Sequence, residues 1–106
     1  MSQPAVARWD GADPPTETEL AERFGADGLQ PYSWSNGPGD TYQPHSHSYH
    51  KVLYCLRGSI VFRVLPDGID YELKPGDRLD LPPGTQHAAI VGRAGVTCLE
   101  AARRAL

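Results

Sequence analysis

The feature that most limits the possible folds is the regular spacing of turn-forming residues after Gly28. From there onward, glycine, proline, asparagine and aspartate separate short segments rich in Val, Ile, Leu, Tyr and Phe. The chain has 11 glycines and 10 prolines, which are scattered rather than clustered. Turn residues at intervals of about eight to twelve residues are typical of an all-β domain. We predict about eight strands that close into a barrel or a compact sandwich, because closure protects sheet edges.

One short helix is predicted before the strands. Thr16 and Glu19 have the spacing of a capping box, in which each side chain bonds the backbone N–H of the other residue. Leu20 and Phe24 follow four residues apart and therefore share one face of a helix. We predict a helix over about residues 15–24 that lays this apolar face on the barrel.

The same pattern predicts the boundaries of the domain. Gly25 is expected to end the helix in a left-handed conformation. Residues 1–13 are expected to form a flexible tail, and residues 14–106 a single domain whose barrel covers about 29–102. A chain of 106 residues has room for one such domain and little else.

Composition excludes several classes of partner. The net charge is -3, and no run of Lys and Arg is present to neutralise phosphates, so we expect no binding to nucleic acid. No apolar run approaches the roughly 20 residues that span a bilayer, and the first residues lack the apolar core of a secretory signal. We therefore expect no membrane association and a cytoplasmic location.

Two further expectations concern redox state and assembly. Cys55 and Cys98 lie far apart in the sequence and outside any CxxC pattern, and we interpret them as buried free thiols in a reducing compartment. A small β-rich chain buries a modest core and has edges to cover, so we expect a homodimer.

The histidines provide the main candidate for chemistry. His45 and His47 would point to the same face of a strand, where their imidazoles can converge on one ion. A third ligand is available from His87, much later in the chain. Neutral imidazole suits Zn, Cu, Fe and Ni. The spacing of His45 and His47 alone is also compatible with a solvated surface strand.

Two segments resemble the two conserved motifs of the cupin superfamily, in the same order and with a hairpin between them. The match is detailed over about residues 39–91. The residues that carry it are Gly39, His45, His47 and Gly58 in the first motif, and Gly76, Asp77, Pro82, Gly84 and His87 in the second. Because two motifs match together, the resemblance is far more specific than either motif alone.

The resemblance implies a double-stranded β-helix, also called a jelly-roll or cupin barrel. It also implies that His45, His47 and His87 bind one divalent transition metal, with Fe expected first and Zn, Ni, Mn or Cu as alternatives. The superfamily includes dioxygenases, isomerases, epimerases, lyases, sugar-binding domains and storage proteins, so the fold does not select the function.

The sequence departs from the family pattern at Lys51. The family's fourth ligand is a Glu four residues after the second His, and here that position is Lys51, which strand alternation directs toward the site. A cation about 5 Å from a divalent ion is repelled by about 6 to 7 kcal/mol at an effective dielectric of about 20. Lys51 must therefore be neutral, turn away, pair with an acid such as Asp80, or face an anionic ligand.

Two hypotheses for Lys51 stay open at this point. It binds the carboxylate or enolate of a small-molecule ligand or acts as a base in catalysis; alternatively it curls to the rim and takes no part. Glu100, on the last strand, is either an acid in the cavity or exposed.

Three other residues lie near the first motif. By alternation His50 points away from the metal site, although a β-bulge at 48–49 would turn it inward as a fourth ligand. Tyr49 is expected in the core or the pocket wall. Gln43 lies two residues before His45 on the same face, where it would contact a metal-bound water.

The expected function is that of a metal-dependent enzyme for a small organic molecule, with dioxygenase-type oxidation first and isomerase or lyase chemistry close behind. The alternative is a non-catalytic small-molecule-binding or sensor cupin that uses the same cavity. A purely structural metal is disfavoured because structural zinc sites are normally closed by four protein ligands.

Overall fold

The computed structural model describes residues 3–103, which form an antiparallel β-barrel with one helix. Its elements are β1 (Ala5–Ala7), α1 (Glu17–Ala26), β2 (Tyr32–Asn36), β3 (Thr41–His45), β4 (His50–Val64), β5 (Ile69–Leu73), β6 (Arg78–Leu81) and β7 (His87–Arg103). Within the described residues, no helix is both long enough and apolar enough to cross a bilayer. The all-β jelly-roll class expected from the sequence is confirmed.

Two long strands organise the sheet. β4 and β7 pair from His50 opposite Arg103 to Val64 opposite His87. The first half of β4 also pairs with β6, and its second half pairs with β5. The first half of β7 pairs with β3, and its second half pairs with β2. Each long strand therefore contributes to both ends of the barrel.

Glycines let these strands bend without ending. Gly58 in β4 and Gly95 in β7 both have φ of 78°, and the β4–β7 register shifts near Gly58. A Cβ on Gly58 would lie 2.0 Å from the carbonyl oxygen of Gly95, so no larger residue fits there. Gly58 therefore bends β4 without ending it, and the β4–β7 ladder continues through the bend.

Hydrophobic side chains form one layer inside the barrel and a second beneath the helix. Along β4, Leu53 and Cys55 point into the inner core, whereas Val52 and Tyr54 point outward. The outward layer is covered by α1, through residues that include Phe24, which is 1% exposed. The predicted packing of the helix on the barrel is confirmed, and it leaves residues 51–56 of β4 buried on both faces.

The helix is capped as predicted but ends later. Thr16 and Glu19 form a reciprocal capping box. The helix includes Gly25 and extends to Ala26, and Gly28, with φ of 74°, takes the left-handed conformation that we had assigned to Gly25. The prediction for Gly25 is wrong by about one helical turn.

The N-terminal segment is paired rather than loose. Ala5–Ala7 form β1 and pair with β6. Beyond β1, Asp77 accepts hydrogen bonds from the Arg8 side chain at 2.8 Å and the Trp9 backbone N–H at 3.0 Å. The expectation of a flexible tail over 1–13 is therefore corrected for these residues, because the N-terminal strand supplies β6 with a partner. Residues 1–2 and 104–106 lie outside the described part.

The two cysteines are close in space although distant in the sequence. Cys55 and Cys98 lie directly opposite each other on β4 and β7, and both are free and buried, as predicted for the thiols. The hydrogen bond with Cys55, together with burial, raises the pKa of Cys98. Both thiols therefore pack as small apolar groups in the inner core.

Candidate metal centre

A cavity of about 320 Å³ lies in the barrel, next to the inner core. Its walls combine histidines, aromatic side chains and one pair of opposite charges. The lining residues are Tyr32, Trp34, Tyr42, His45, His47, Tyr49, Lys51, Phe62, His87 and Glu100. A mostly apolar cavity with a few convergent polar groups is the usual form of a small-molecule site.

Three histidines converge on one wall of this cavity. His45 ends β3 directly opposite His87, which begins β7. His47 lies in the connection between β3 and β4, where its carbonyl oxygen accepts a hydrogen bond from the backbone N–H of Gly84 at 2.8 Å. Ligand nitrogens of the three rings all lie within 4.8 Å of one another. The prediction that His45 and His47 share one strand is thus wrong, yet the three rings still meet, and the hydrogen bond from Gly84 ties the His47 loop to the connection before β7.

Backbone carbonyls orient two of the rings. Nδ1 of His45 lies 2.7 Å from the carbonyl oxygen of Gln43, and Nδ1 of His87 lies 2.9 Å from that of Thr85. A carbonyl accepts only, so each Nδ1 carries the proton and each Nε2 presents a lone pair. Holding the second nitrogen in this way is how proteins orient histidines that bind metals.

The free nitrogens fit a metal ion. Nε2 of His47 and Nε2 of His87 are buried and have no hydrogen-bond partner among the described residues. An unpaired buried polar atom costs about 1 to 3 kcal/mol, and an ion would remove that cost. Two nitrogens that each lie about 2.1 Å from one ion are at most about 4.2 Å apart, so small rotations bring the rings together.

The protonation state also favours a metal. Burial lowers the pKa of His87 to about 4. Burial, followed by the charge of Lys51, also lowers the pKa of His47. Both imidazoles are therefore neutral at pH 7, which is the form that binds a metal. Imidazole nitrogens as the donor set suit a divalent transition metal and do not distinguish Fe, Zn, Ni or Cu.

Lys51 faces the cavity and is paired with an acid. It is 7% exposed, and its Nζ lies 3.5 Å from Oε1 of Glu100. This position contradicts the alternative in which Lys51 curls to the rim. The partner suggested from the sequence, Asp80, is also wrong: Asp80 lies opposite Val52, whose side chain points outward, so it faces away from Lys51.

Glu100 is held from several sides. Its Oε2 accepts a hydrogen bond from the Tyr32 hydroxyl at 2.8 Å, and its Oε1 accepts one from Trp34 Nε1 at 3.0 Å. Burial and the bond to Glu100 raise the pKa of Tyr32, so this hydroxyl keeps its proton and donates. The sequence left Glu100 open as a cavity acid or an exposed residue, and the structure places it in the cavity, 4% exposed.

The remaining candidates divide between the cavity and the outer surface. Tyr49 lines the cavity and stacks on His47, with ring centroids 4.9 Å apart. His50 does not line the cavity, because its Nε2 bonds Oδ1 of Asp80 at 2.8 Å on the outward face. The Gln43 side chain is exposed and lines an outer groove instead. The outward position that strand alternation predicts for His50 is thus confirmed, and the alternative pocket roles for His50, Gln43 and Asp80 are corrected.

Several wall residues were not singled out from the sequence. Tyr32, Trp34 and Phe62 complete the aromatic wall. Tyr32 and Trp34 are two residues apart on β2, a spacing that put both on one face. Which face is inward depends on the pairing of β2 with β7, and that pairing is not readable from the segment itself.

An antiparallel β-barrel in which three imidazoles converge defines a double-stranded β-helix protein with a candidate metal site of three histidines. The sequence model of the cupin domain family matches residues 34–96, more than half of the chain. The chain therefore belongs to the cupin family, as the two motifs predicted.

Two curated relatives are enzymes that match part of the chain. Quercetin 2,3-dioxygenase from Bacillus subtilis is 41% identical over 56 residues, which are 51% of this chain and 16% of that protein. Dimethylsulfoniopropionate lyase DddW from Ruegeria pomeroyi is 30% identical over 60 residues, which are 57% of this chain and 38% of that protein. The chain thus spans less than two fifths of either relative.

Solved structures support the same fold. DMSP lyase DddQ from Ruegeria pomeroyi superimposes with a TM-score of 0.65 at 26% identity, over 74% of this chain and 39% of that chain. An RmlC-like cupin from Shewanella frigidimarina gives 0.62 at 25% identity, over 73% of this chain and 67% of that chain.

Proposed function

We propose that this cupin is a metal-dependent enzyme that acts on a small organic anion inside the barrel. The observation that carries the proposal is the convergence of three imidazoles within 4.8 Å in a cavity that also holds a buried lysine. His45, His47 and His87 would hold a divalent transition metal, with Fe proposed first. Such an ion supplies Lewis-acid or redox chemistry when bound.

Lys51 is proposed to bind the anionic group of the substrate. Its ammonium group makes no hydrogen bond among the described residues, and its one charge contact is the 3.5 Å approach to Glu100. An ammonium group has three N–H donors. A carboxylate or enolate oxygen that enters the cavity would therefore meet unused donors as well as positive charge.

The aromatic walls would position the rest of the substrate. Tyr42, Tyr49 and Phe62 present ring surface to the cavity on the side of the histidines. Apolar walls of this kind exclude water and strengthen the electrostatic attraction between Lys51 and an anion. Lys51 also stands where it would donate a proton to, or accept one from, a substrate oxygen.

The proposed reaction is a dioxygenase-type oxidation first and an isomerase or lyase reaction second. Three protein ligands leave coordination positions free for a substrate, as catalytic sites require. The similarity to a quercetin dioxygenase favours the oxidation, and the similarity to two dimethylsulfoniopropionate lyases favours the lyase. The alternative is a non-catalytic binding or sensor cupin with the same cavity, which would bind without turnover.

Elemental analysis of protein purified without a His tag tests the metal. We expect about one divalent ion per chain, lost in His47→Gln. Bound iron with oxygen uptake on adding catechols, 1,2-diols or thiols would support the dioxygenase. Cleavage of dimethylsulfoniopropionate without oxygen uptake would support the lyase. A protein that neither retains nor rebinds Fe, Zn, Ni, Mn or Cu would refute the proposal.

The role of Lys51 has a matched control, because Lys74 is the only other lysine in the chain and is exposed. We expect Lys51→Met to weaken the binding of small carboxylates to the metal-loaded protein at least about tenfold, a loss of about 1.4 kcal/mol. Lys74→Met should leave the affinity unchanged. Equal affinities in the two variants would remove Lys51 from the substrate site.

A cytoplasmic homodimer completes the proposal. Support for dimerisation comes from the sheet edges of a small β-rich chain, which a second copy would cover. Light scattering at several protein concentrations would give the mass of a dimer, and the mass of a monomer throughout would contradict it.

A further inference from the structure

The proposed metal and substrate do not explain why Lys51 lies beside a buried acid, Glu100. Both residues are buried, and their side chains are 9% and 6% exposed. They lie diagonally on adjacent strands, because Glu100 is opposite Leu53 on the inward face of β4. A cation so close to three potential ligands opposes the binding of a divalent ion.

We propose that Glu100 is a positioning residue for the metal centre, which holds Lys51 away from the ion and balances its charge. The proposal rests on the proposed function, since it requires a metal at the three histidines. It assigns to Glu100 the electrostatic task that an acidic metal ligand performs elsewhere, without contact with the metal.

The geometry gives Glu100 a fixed place. Tyr32 and Trp34 donate to its two carboxylate oxygens at 2.8 and 3.0 Å, so the carboxylate cannot rotate freely. Lys51 is then drawn toward a fixed anion at 3.5 Å rather than left free in the cavity. Two charges in partly dry surroundings attract more strongly than they would in water.

The charges of Lys51 and Glu100 both act on an ion at the histidines. Lys51 and Glu100 line the same cavity as His45, His47 and His87. A cation in this cavity repels a divalent ion at the histidines, and an anion there attracts it. The field of Glu100 therefore reaches the place where the ion would bind and opposes that of Lys51.

Metal affinity in four proteins tests the proposal: the wild type, Glu100→Gln, Lys51→Met and the double variant. Competition between the protein and a chelator for Co²⁺ gives each Kd. We expect Glu100→Gln to weaken Co²⁺ binding at least about tenfold and Lys51→Met to tighten it. In the double variant the affinity should return to within about threefold of the wild type.

The design separates charge from structure. Gln keeps the shape of Glu100 and an oxygen that accepts from Trp34 or Tyr32, so packing is preserved. Asp70→Asn, which removes one exposed acid that pairs with Arg63, is the control for net charge and should leave the Kd unchanged.

Three results would overturn the proposal. They are a Glu100→Gln Kd equal to that of the wild type, a double variant that binds more weakly than Glu100→Gln alone, or a Lys51→Met Kd that is unchanged or weaker. The last measurement decides the question even if Glu100→Gln does not fold. Wild-type protein without Co²⁺ affinity would refute the proposed function as well, whereas normal wild-type binding with no effect of Glu100→Gln would refute this inference alone.

Discussion

Loss of metal-dependent stability in His87→Gln is the prediction that bears most directly on the site. His87 is 1% exposed, its Nδ1 is held by Thr85, and its Nε2 has no partner among the described residues. A ligand that binds only the folded state at about 100 times its Kd adds about 2.7 kcal/mol to the free energy of unfolding. For a domain near this size, that corresponds to a rise in Tm of about 10 to 20 °C.

The assay is thermal unfolding of metal-free protein with and without added Zn²⁺ or Co²⁺. The wild type should show the full rise in Tm. In His87→Gln the rise should nearly vanish, because two imidazoles alone hold a divalent ion weakly. The comparison within each protein removes the effect of the substitution on packing.

His50→Gln is the matched control, since it makes the same substitution outside the cavity. His50 bonds Asp80 on the outward face, so its metal-dependent rise in Tm should equal that of the wild type. An equal rise in His87→Gln and the wild type would refute the three-histidine site. A loss confined to His50→Gln would show that the strand is bulged in solution and that His50 is the ligand.

Three further predictions concern stability. The pKa of His87 is about 4 in the folded protein and about 6.5 in the unfolded chain, so the unfolded chain takes up the proton first as the pH falls. Urea titrations should therefore show that the free energy of unfolding of the metal-free protein decreases by about 1 to 2 kcal/mol between about pH 7 and pH 5. His87→Gln should remove this dependence on pH. Phe24→Ala should cost about 3 to 5 kcal/mol by urea unfolding, whereas exposed Glu22→Ala should cost less than about 0.5 kcal/mol. Gly58→Ala should lower Tm more than Gly68→Ala: both glycines have positive φ, but an added Cβ meets backbone at 2.0 Å only at Gly58.

The fold class was readable from the sequence, but the continuity of the strands was not. Turn residues and short apolar segments identified an all-β chain, and the capping box located the start of the helix. A glycine with positive φ is found both where a strand ends and where a strand bends and continues, so the residue type does not distinguish the two cases. The outcome at Gly58 depends on the partner strand, here β7, which approaches too closely for any side chain.

The candidate site was likewise predictable from the sequence only in part. The three histidines were identified through motif spacing, because that spacing encodes which residues meet in the barrel. The partner of Lys51 was missed, since Asp80 and Glu100 are both acids on neighbouring strands and only the register decides which one faces inward. Gln43 was assigned to the cavity by alternation, and its carbonyl oxygen, rather than its side chain, turned out to orient His45.

Lys51 stands at the position where the family pattern has an acidic metal ligand, and we expect this difference to affect the charge of the substrate that the proposed site binds. Because the imidazoles are neutral, they would leave the charge of a divalent ion uncompensated. Glu100 balances the charge of Lys51 and does not take the place of a metal ligand. The anion that balances the ion must then come from the ligand itself, and it would find Lys51 donors beside it. Metal and anion should therefore bind cooperatively, with each raising the affinity of the other by the same factor. A site with its own acidic ligand has less need of an anionic substrate, so we expect the charge of residue 51 to influence which substrates bind.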